Sequence, residues 1–202
     1  MENQPSHPTQ TSIASGKPVN WIRGVVFTAL FAALFIAFCF VKIPLWFTPI
    51  PITLQTLAVM LAGGLLGARL GFLSIFLVVL LTTAGLPLLG GNGGLAVVFG
   101  SSGGYIWMFP LEALLIGFAG DRLFARSSKL SRGGMLLLFV SLILFGVALA
   151  YVGGVPWLAY KAKLSFSAAM SGGCYPFLFG DTVKAIAAVF LISKLRPLMP
   201  KL

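Results

Sequence analysis

The sequence predicts an all-α integral membrane protein with six transmembrane helices, both termini cytoplasmic, and a ligand cavity open to the outside. Three observations predict it. Of 202 residues, 58% are hydrophobic and only 9% are charged, and mean hydropathy is +1.01, whereas soluble domains are roughly a quarter charged. Apolar runs of membrane-crossing length follow one another, separated by short polar or glycine-rich breaks. Finally, fourteen Lys and Arg against four acids give +10, and most of these bases lie between the apolar runs. There they act as topology signals and not as a nucleic-acid footprint.

Residues 1–20 are rich in Pro, Ser, Thr and Gln and are expected to be a disordered cytoplasmic tail. Residues 21–202 are expected to form a single membrane domain. Its first run, Trp21 to Val41, has 21 residues, about 30 Å of helix and enough for one crossing. Pro44 to Pro51 carries three prolines and Trp46, a composition for an interfacial loop. From Leu54 to Leu89 the only charge is Arg69. Thirty-six residues are too many for one crossing, so two helices, 54–68 and 70–85, are predicted to meet at Gly67-Ala68-Arg69. Each is about 22 Å long against a hydrocarbon core of about 30 Å, which leaves room for loops to dip in. Irregular backbone at such depth must be buried in protein or line a cavity.

Two segments qualify. Pro49 to Thr56 offers Thr53 and Gln55, and Gly85 to Gly104 contains eight glycines and no charge. The apolar residues Leu95, Val97, Val98 and Phe99 interrupt those glycines, as in a packed loop and unlike a flexible linker. Further helices are predicted at 105–120, 135–157 and 174–193. With the N-terminus inside, ten basic residues fall on the cytoplasmic side, and Lys42, Lys161 and Lys163 on the other, which places the two loops outside. Lys184 is left over, within the sixth helix.

Asp181 and Lys184, at i and i+3, share one face of that helix. They are read either as a mutual ion pair that lets both be buried, or as cavity groups in which Asp181 accepts from ligand N–H groups and Lys184 answers a carboxylate or carbonyl; both can hold at once. Asn92 stands alone as a polar side chain in the middle of the glycine loop and suits either a turn or a ligand. Gly104 and Tyr105 mark where the loop re-enters the membrane. Tyr105 is read as a pocket aromatic or as an interfacial belt residue, while for Tyr151 and Trp157 the belt reading leads. Glu112 is intramembrane with no partner to name. Ala29, Ala33 and Ala37 form a small-residue face, as do Gly63, Gly67 and Gly71.

The inventory also excludes. His7 is the single histidine and lies in the tail, so no His-based catalysis or His-Cys metal site can be assembled. Cys39 and Cys174 read as small core residues. No catalytic residue is assigned, and no phosphate-cradling loop is present, so the chain has no nucleotide motif of its own.

Five motifs occur in order: Pro51-Ile52-Thr53-Leu54-Gln55-Thr56-Leu57; Gly85-Leu86-Pro87 with its glycine cluster; Gly103-Gly104-Tyr105; Gly154-Val155-Pro156-Trp157; and Pro176-Phe177-x-x-Gly180-Asp181-x-x-Lys184. Together, over about Arg23 to Leu195, they resemble the BioY family, the biotin-capturing S components of energy-coupling factor (ECF) transporters. The resemblance implies biotin as ligand and no cofactor in this chain. It implies a membrane coupling protein and two ATP-binding, ATP-hydrolysing subunits as partners, and a bacterial cell membrane location. It implies that Asn92, Asp181 and Lys184 are pocket positions and that Ala29, Ala33 and Ala37 dock on the coupling protein. Gly100-Ser101-Ser102 departs from the Gly-Pro-Thr of many members. The rival expectation is a solitary secondary transporter of a small organic acid or another vitamin, against which stands the absence of an evident inverted repeat of broken helices.

Overall fold

A computed structural model describes residues 17–126 and 129–200. The tail expected at 1–20 lies outside the described residues as far as 16; from Lys17 the chain is already helical, so α1 (Lys17–Phe40) starts earlier than its apolar run. Basic and polar residues extend a helix past the hydrocarbon edge without penalty, and hydropathy therefore misplaces such an end. After α1 come a two-residue strand β1 (Lys42–Ile43) and its antiparallel partner β2 (Ile52–Thr53), paired Lys42 with Thr53 and Ile43 with Ile52. The segment read as a plain interfacial loop is thus pinned at its base, with Trp46 96% exposed at its tip.

Next are α2 (Gln55–Thr83), the short α3 (Leu95–Val98), α4 (Gly103–Arg126), α5 (Arg132–Leu142), a π-helical stretch (Ile143–Ala148), α6 (Leu149–Ala162), α7 (Phe166–Gly173) and α8 (Tyr175–Leu195). Among the described residues five stretches are long and apolar enough to cross a membrane: Trp21–Phe40, Gln55–Thr83, Gly103–Ala125, Arg132–Ala162 and Tyr175–Leu198. The helices expected at 105–120, 135–157 and 174–193 therefore run longer or shift by a residue or two, the polar flanks at Arg122, Arg132 and Lys161 being helical as well. The eight-residue α7 has no counterpart in the sequence reading. Its signal was Ser165, whose hydroxyl accepts from Ala168 N at 3.2 Å as an N-cap.

Gln55–Thr83 is continuous in hydrogen bonding but not straight. Gly67 has φ 82° and ψ −178°, left-handed backbone that glycine adopts at no steric cost, and the chain turns back there. A Cβ built on Gly71 would lie 2.8 Å from Gly63 Cα, although eight residues of straight helix separate Cα atoms by about 12 Å. The two arms therefore lie against each other, glycine to glycine. The first arm packs equally closely on α4, where a Cβ on Gly63 would sit 2.4 Å from the carbonyl oxygen of Ala113. Absent side chains let the backbones meet, as small residues do where lipid supplies no hydrophobic drive.

Candidate functional site

At the end of the bundle where α1 gives way to β1, residues from the irregular segments and from α2, α4, α6 and α8 enclose a cavity of about 440 Å³. That is within the roughly 300–1,000 Å³ of small-molecule sites. Pro49, Ile50, Pro51, Thr53, Gln55 and Thr56 line one side, and Leu89, Asn92, Ala96, Val97 and Gly100 to Ser102 another. Tyr105, Ile106, Phe109, Ala150, Tyr151 and Phe177 supply the apolar interior, and Gly173, Asp181, Lys184, Lys42 and Cys39 complete it.

The polar floor is built around Asp181, which is 5% exposed. Its Oδ1 accepts from Thr56 Oγ1 at 3.0 Å and from Lys184 Nζ at 2.8 Å, and its Oδ2 accepts from the Tyr151 hydroxyl at 2.5 Å. Lys184 Nζ also donates to Thr56 Oγ1 at 3.2 Å. The two readings of this pair coincide: Asp181 and Lys184 form an ion pair and both face the cavity. Charges in this setting need partners, and here they come from α2, α6 and α8 together.

The other candidates divide. Thr53 and Gln55 line the cavity, held by the turn in which Gln55 N donates to Thr53 Oγ1 at 3.3 Å. Asn92 lines it too, while its amide nitrogen donates to the carbonyls of Leu89 (3.4 Å) and Gly90 (3.3 Å). Its turn role and its cavity position are thus both present, with the amide oxygen available to a donor. Tyr105 is buried and not a belt residue: its ring lines the cavity, its hydroxyl donates to Gly173 O at 2.7 Å, and it meets Tyr151 edge to face at 6.4 Å. Gly104 is absent from the lining. A Cβ there would lie 2.4 Å from Trp157 Cβ, so its smallness serves the approach of α4 to α6.

Tyr151 and Trp157 also have partners inside the protein: the Tyr151 hydroxyl donates to Asp181, and Trp157 Nε1 donates to Gly100 O at 2.8 Å, clamping the loop beside Ser101 and Ser102. Thr56 and Lys42 were missed as site residues. Thr56 was visible only as one more residue of a motif, and Lys42 as one of three bases on the sparse outer side. Lys42 Nζ donates to Gly90 O at 3.0 Å and so joins β1 to the glycine loop at the cavity's exposed end. Glu112 lies beyond Phe109 on α4, fully buried, and neither of its carboxyl oxygens has a hydrogen-bond partner among the described residues. Cys39 and Cys174 are buried and unpaired. Ala29, Ala33 and Ala37 all stand exposed on the outer surface of α1.

Comparison with known proteins agrees with this architecture. The BioY family model matches residues 7–201. The probable biotin transporter BioY of Bacillus subtilis (strain 168) is 40% identical over 183 residues, covering 89% of this chain and 91% of the relative. The biotin transporter BioY of Rhizobium etli is 38% identical over 171 residues, covering 84% and 90%. The fold matches the crystal structure of the S-component for biotin from an ECF-type ABC transporter with a TM-score of 0.82 and 32% identity, over 90% of this chain and 95% of that one.

Proposed function

The chain belongs to the BioY family, and on that premise we propose that it captures biotin as the substrate-binding S component of an ECF-type transporter. It is a multi-pass bacterial membrane protein, a transporter subunit and not an enzyme. The observation that carries the ligand reading is the floor of the cavity, where one carboxylate, one ammonium and two hydroxyls converge under an apolar interior.

Biotin offers the complementary groups: a ureido ring with two N–H donors and a carbonyl, an apolar thioether ring, and a carboxylate tail. The ring end goes to the floor, where Asp181 accepts from ureido N–H and Lys184 donates to the carbonyl. The tail runs past Tyr105 and Asn92 toward the exposed end, where Lys42 meets the carboxylate. Thr53 and Gln55 border the same space. The two arms of α2 each cross the bilayer, giving six crossings with both termini cytoplasmic; the turn at Gly67 and the ten-against-three count of bases support this. Import then needs energy from outside this chain, supplied by two ATP-hydrolysing subunits through a membrane coupling protein docked on the exposed face of Ala29, Ala33 and Ala37.

The direct test is mass spectrometry of small molecules released from the purified chain, paired with titration of biotin in detergent. Biotin is expected near one per chain, with Asp181→Ala weakening binding at least about tenfold, one charged hydrogen bond being worth about 1.5–3 kcal/mol. Release of a different compound, or unchanged affinity in the variant, overturns the assignment.

A further inference from the structure

The stretch of cavity wall formed by Gly100, Ser101 and Ser102 is held from three directions. Trp157 Nε1 donates to Gly100 O at 2.8 Å, and Trp107 Nε1 donates to Val98 O at 3.1 Å. The first turn of α4 fixes Ser102, whose carbonyl accepts from Tyr105 N at 3.1 Å and Ile106 N at 3.2 Å. The backbone of the two serines is thereby set. Their hydroxyls are left over: among the described residues neither has a hydrogen-bond partner.

Hydroxyls within the helices of the bundle bend back to the carbonyl four residues earlier, as those of Ser74, Thr82, Thr83 and Ser141 do at 2.7 or 2.8 Å. The corresponding carbonyls for Ser101 and Ser102 belong to Val97 and Val98, which already accept from Gly100 N at 3.2 Å and from Trp107 Nε1. Two adjacent hydroxyls, fixed at their backbone and uncommitted at their oxygens, are donors offered to whatever enters the cavity.

Their depth decides which part of a ligand they meet. α4 and α8 begin at the same end of the cavity, where the Tyr105 hydroxyl donates to Gly173 O at 2.7 Å. Asp181 lies about 9 Å inside α8, whereas Ser101 and Ser102 precede the first residue of α4. The serines thus stand toward the mouth and Asp181 at the floor. We propose that Ser101 and Ser102 are specificity-determining residues of the cavity, donating both hydroxyls to the oxygens of the ligand's carboxylate tail; this rests on the biotin reading. Recognition of the tail is then divided. Lys42 answers its charge, which a methyl ester lacks, and the serines answer an acceptor oxygen, which the ester keeps.

The test is calorimetric titration of the full chain in detergent with biotin, with its methyl ester, and with the analogue whose tail ends in methyl in place of carboxyl. Ser101→Ala and Ser102→Ala are each expected to weaken biotin and the ester about fivefold, the equivalent of one neutral hydrogen bond of about 1 kcal/mol, and to leave the methyl-ended analogue unchanged. Asp181→Ala is expected to weaken all three. The thermal midpoint of the ligand-free serine variants is expected to match the parent, since neither hydroxyl bonds the protein. Unchanged biotin affinity in both alanine variants, an equal loss for the methyl-ended analogue, or a lowered midpoint each overturns the proposal. A parent chain that binds none of the three compounds overturns the biotin reading and this proposal with it.

Discussion

Replacing Asp181 with Leu strands the Lys184 ammonium, whose side chain is only 13% exposed, without the carboxylate 2.8 Å away. Removing one member of a buried pair costs about 3–5 kcal/mol, because the remaining charge is uncompensated. For Asp181→Leu the upper end applies, since the hydroxyls of Thr56 and Tyr151 lose their acceptor at the same stroke. For Lys184→Met the lower end applies, because Asp181 keeps both O–H donors. The double variant Asp181→Leu/Lys184→Met removes both charges but still leaves the Thr56 and Tyr151 hydroxyls without their acceptor, so it is expected to lose only about 1–3 kcal/mol, less than Asp181→Leu alone. Biotin binding behaves differently: all three variants are expected to lose at least about tenfold in affinity. The assay is thermal unfolding of the ligand-free chain in detergent, at about 2–4 °C per kcal/mol, with biotin titration on the same samples. A double variant as unstable as Asp181→Leu refutes the pairing argument. A double variant that binds biotin like the parent refutes the site.

Glu112→Leu removes a buried carboxyl that has no partner among the described residues, and unfolding measurements should show a gain of about 1–3 kcal/mol; a loss would mean that Glu112 is bonded in the working protein. Gly63→Ala places a methyl 2.4 Å from the carbonyl oxygen of Ala113, an overpacking expected to cost about 1–3 kcal/mol by the same measurement, and an unchanged midpoint would contradict so close a contact between α2 and α4. Lys42→Met, at the exposed end of the cavity, is expected to weaken biotin about threefold to tenfold while leaving its uncharged methyl ester unaffected. Equal losses for acid and ester would place the carboxylate elsewhere.

Much of this arrangement is legible from sequence because the membrane restricts the alternatives. An apolar stretch of thirty-six residues must turn, and Gly67, near the stretch's single charge at Arg69, is a glycine at which left-handed backbone costs little. Two ionisable residues inside an apolar helix must find partners, which singles out Asp181 and Lys184. Their partners are another matter. Thr56 and Tyr151 reach Asp181 across 125 and 30 residues of chain, and no local pattern distinguishes a tyrosine that bonds a buried acid from one that sits at the interface. Gly104 misleads for the converse reason: glycine beside a ligand and glycine beside a tryptophan look alike in a sequence. The ends of α1 and α4 escape because hydropathy reports the hydrocarbon, while a helix continues until its hydrogen bonds are broken.

The two buried acids of the bundle show why a partner set, and not burial, makes a recognition site. Glu112 is sealed, and among the described residues its carboxyl oxygens have no hydrogen-bond partner to orient them toward a ligand. Asp181 receives three donors from three helices, which fix both oxygens. A carboxylate offers about four lone-pair positions, so one acceptor position remains for a ligand N–H without dissolving the ion pair. In the proposed complex the second ureido N–H needs its own acceptor, and the Tyr151 oxygen, already donating its proton to Asp181, has lone pairs to give. Binding then adds bonds to a floor that is already set, and the energy of rearranging it is not subtracted from affinity. Tyr151→Phe tests this directly: the ring is kept and the oxygen removed, so biotin affinity should fall about tenfold while the edge-to-face contact with Tyr105 is preserved. An affinity unchanged in that variant would leave Asp181 as the sole ureido acceptor at the floor.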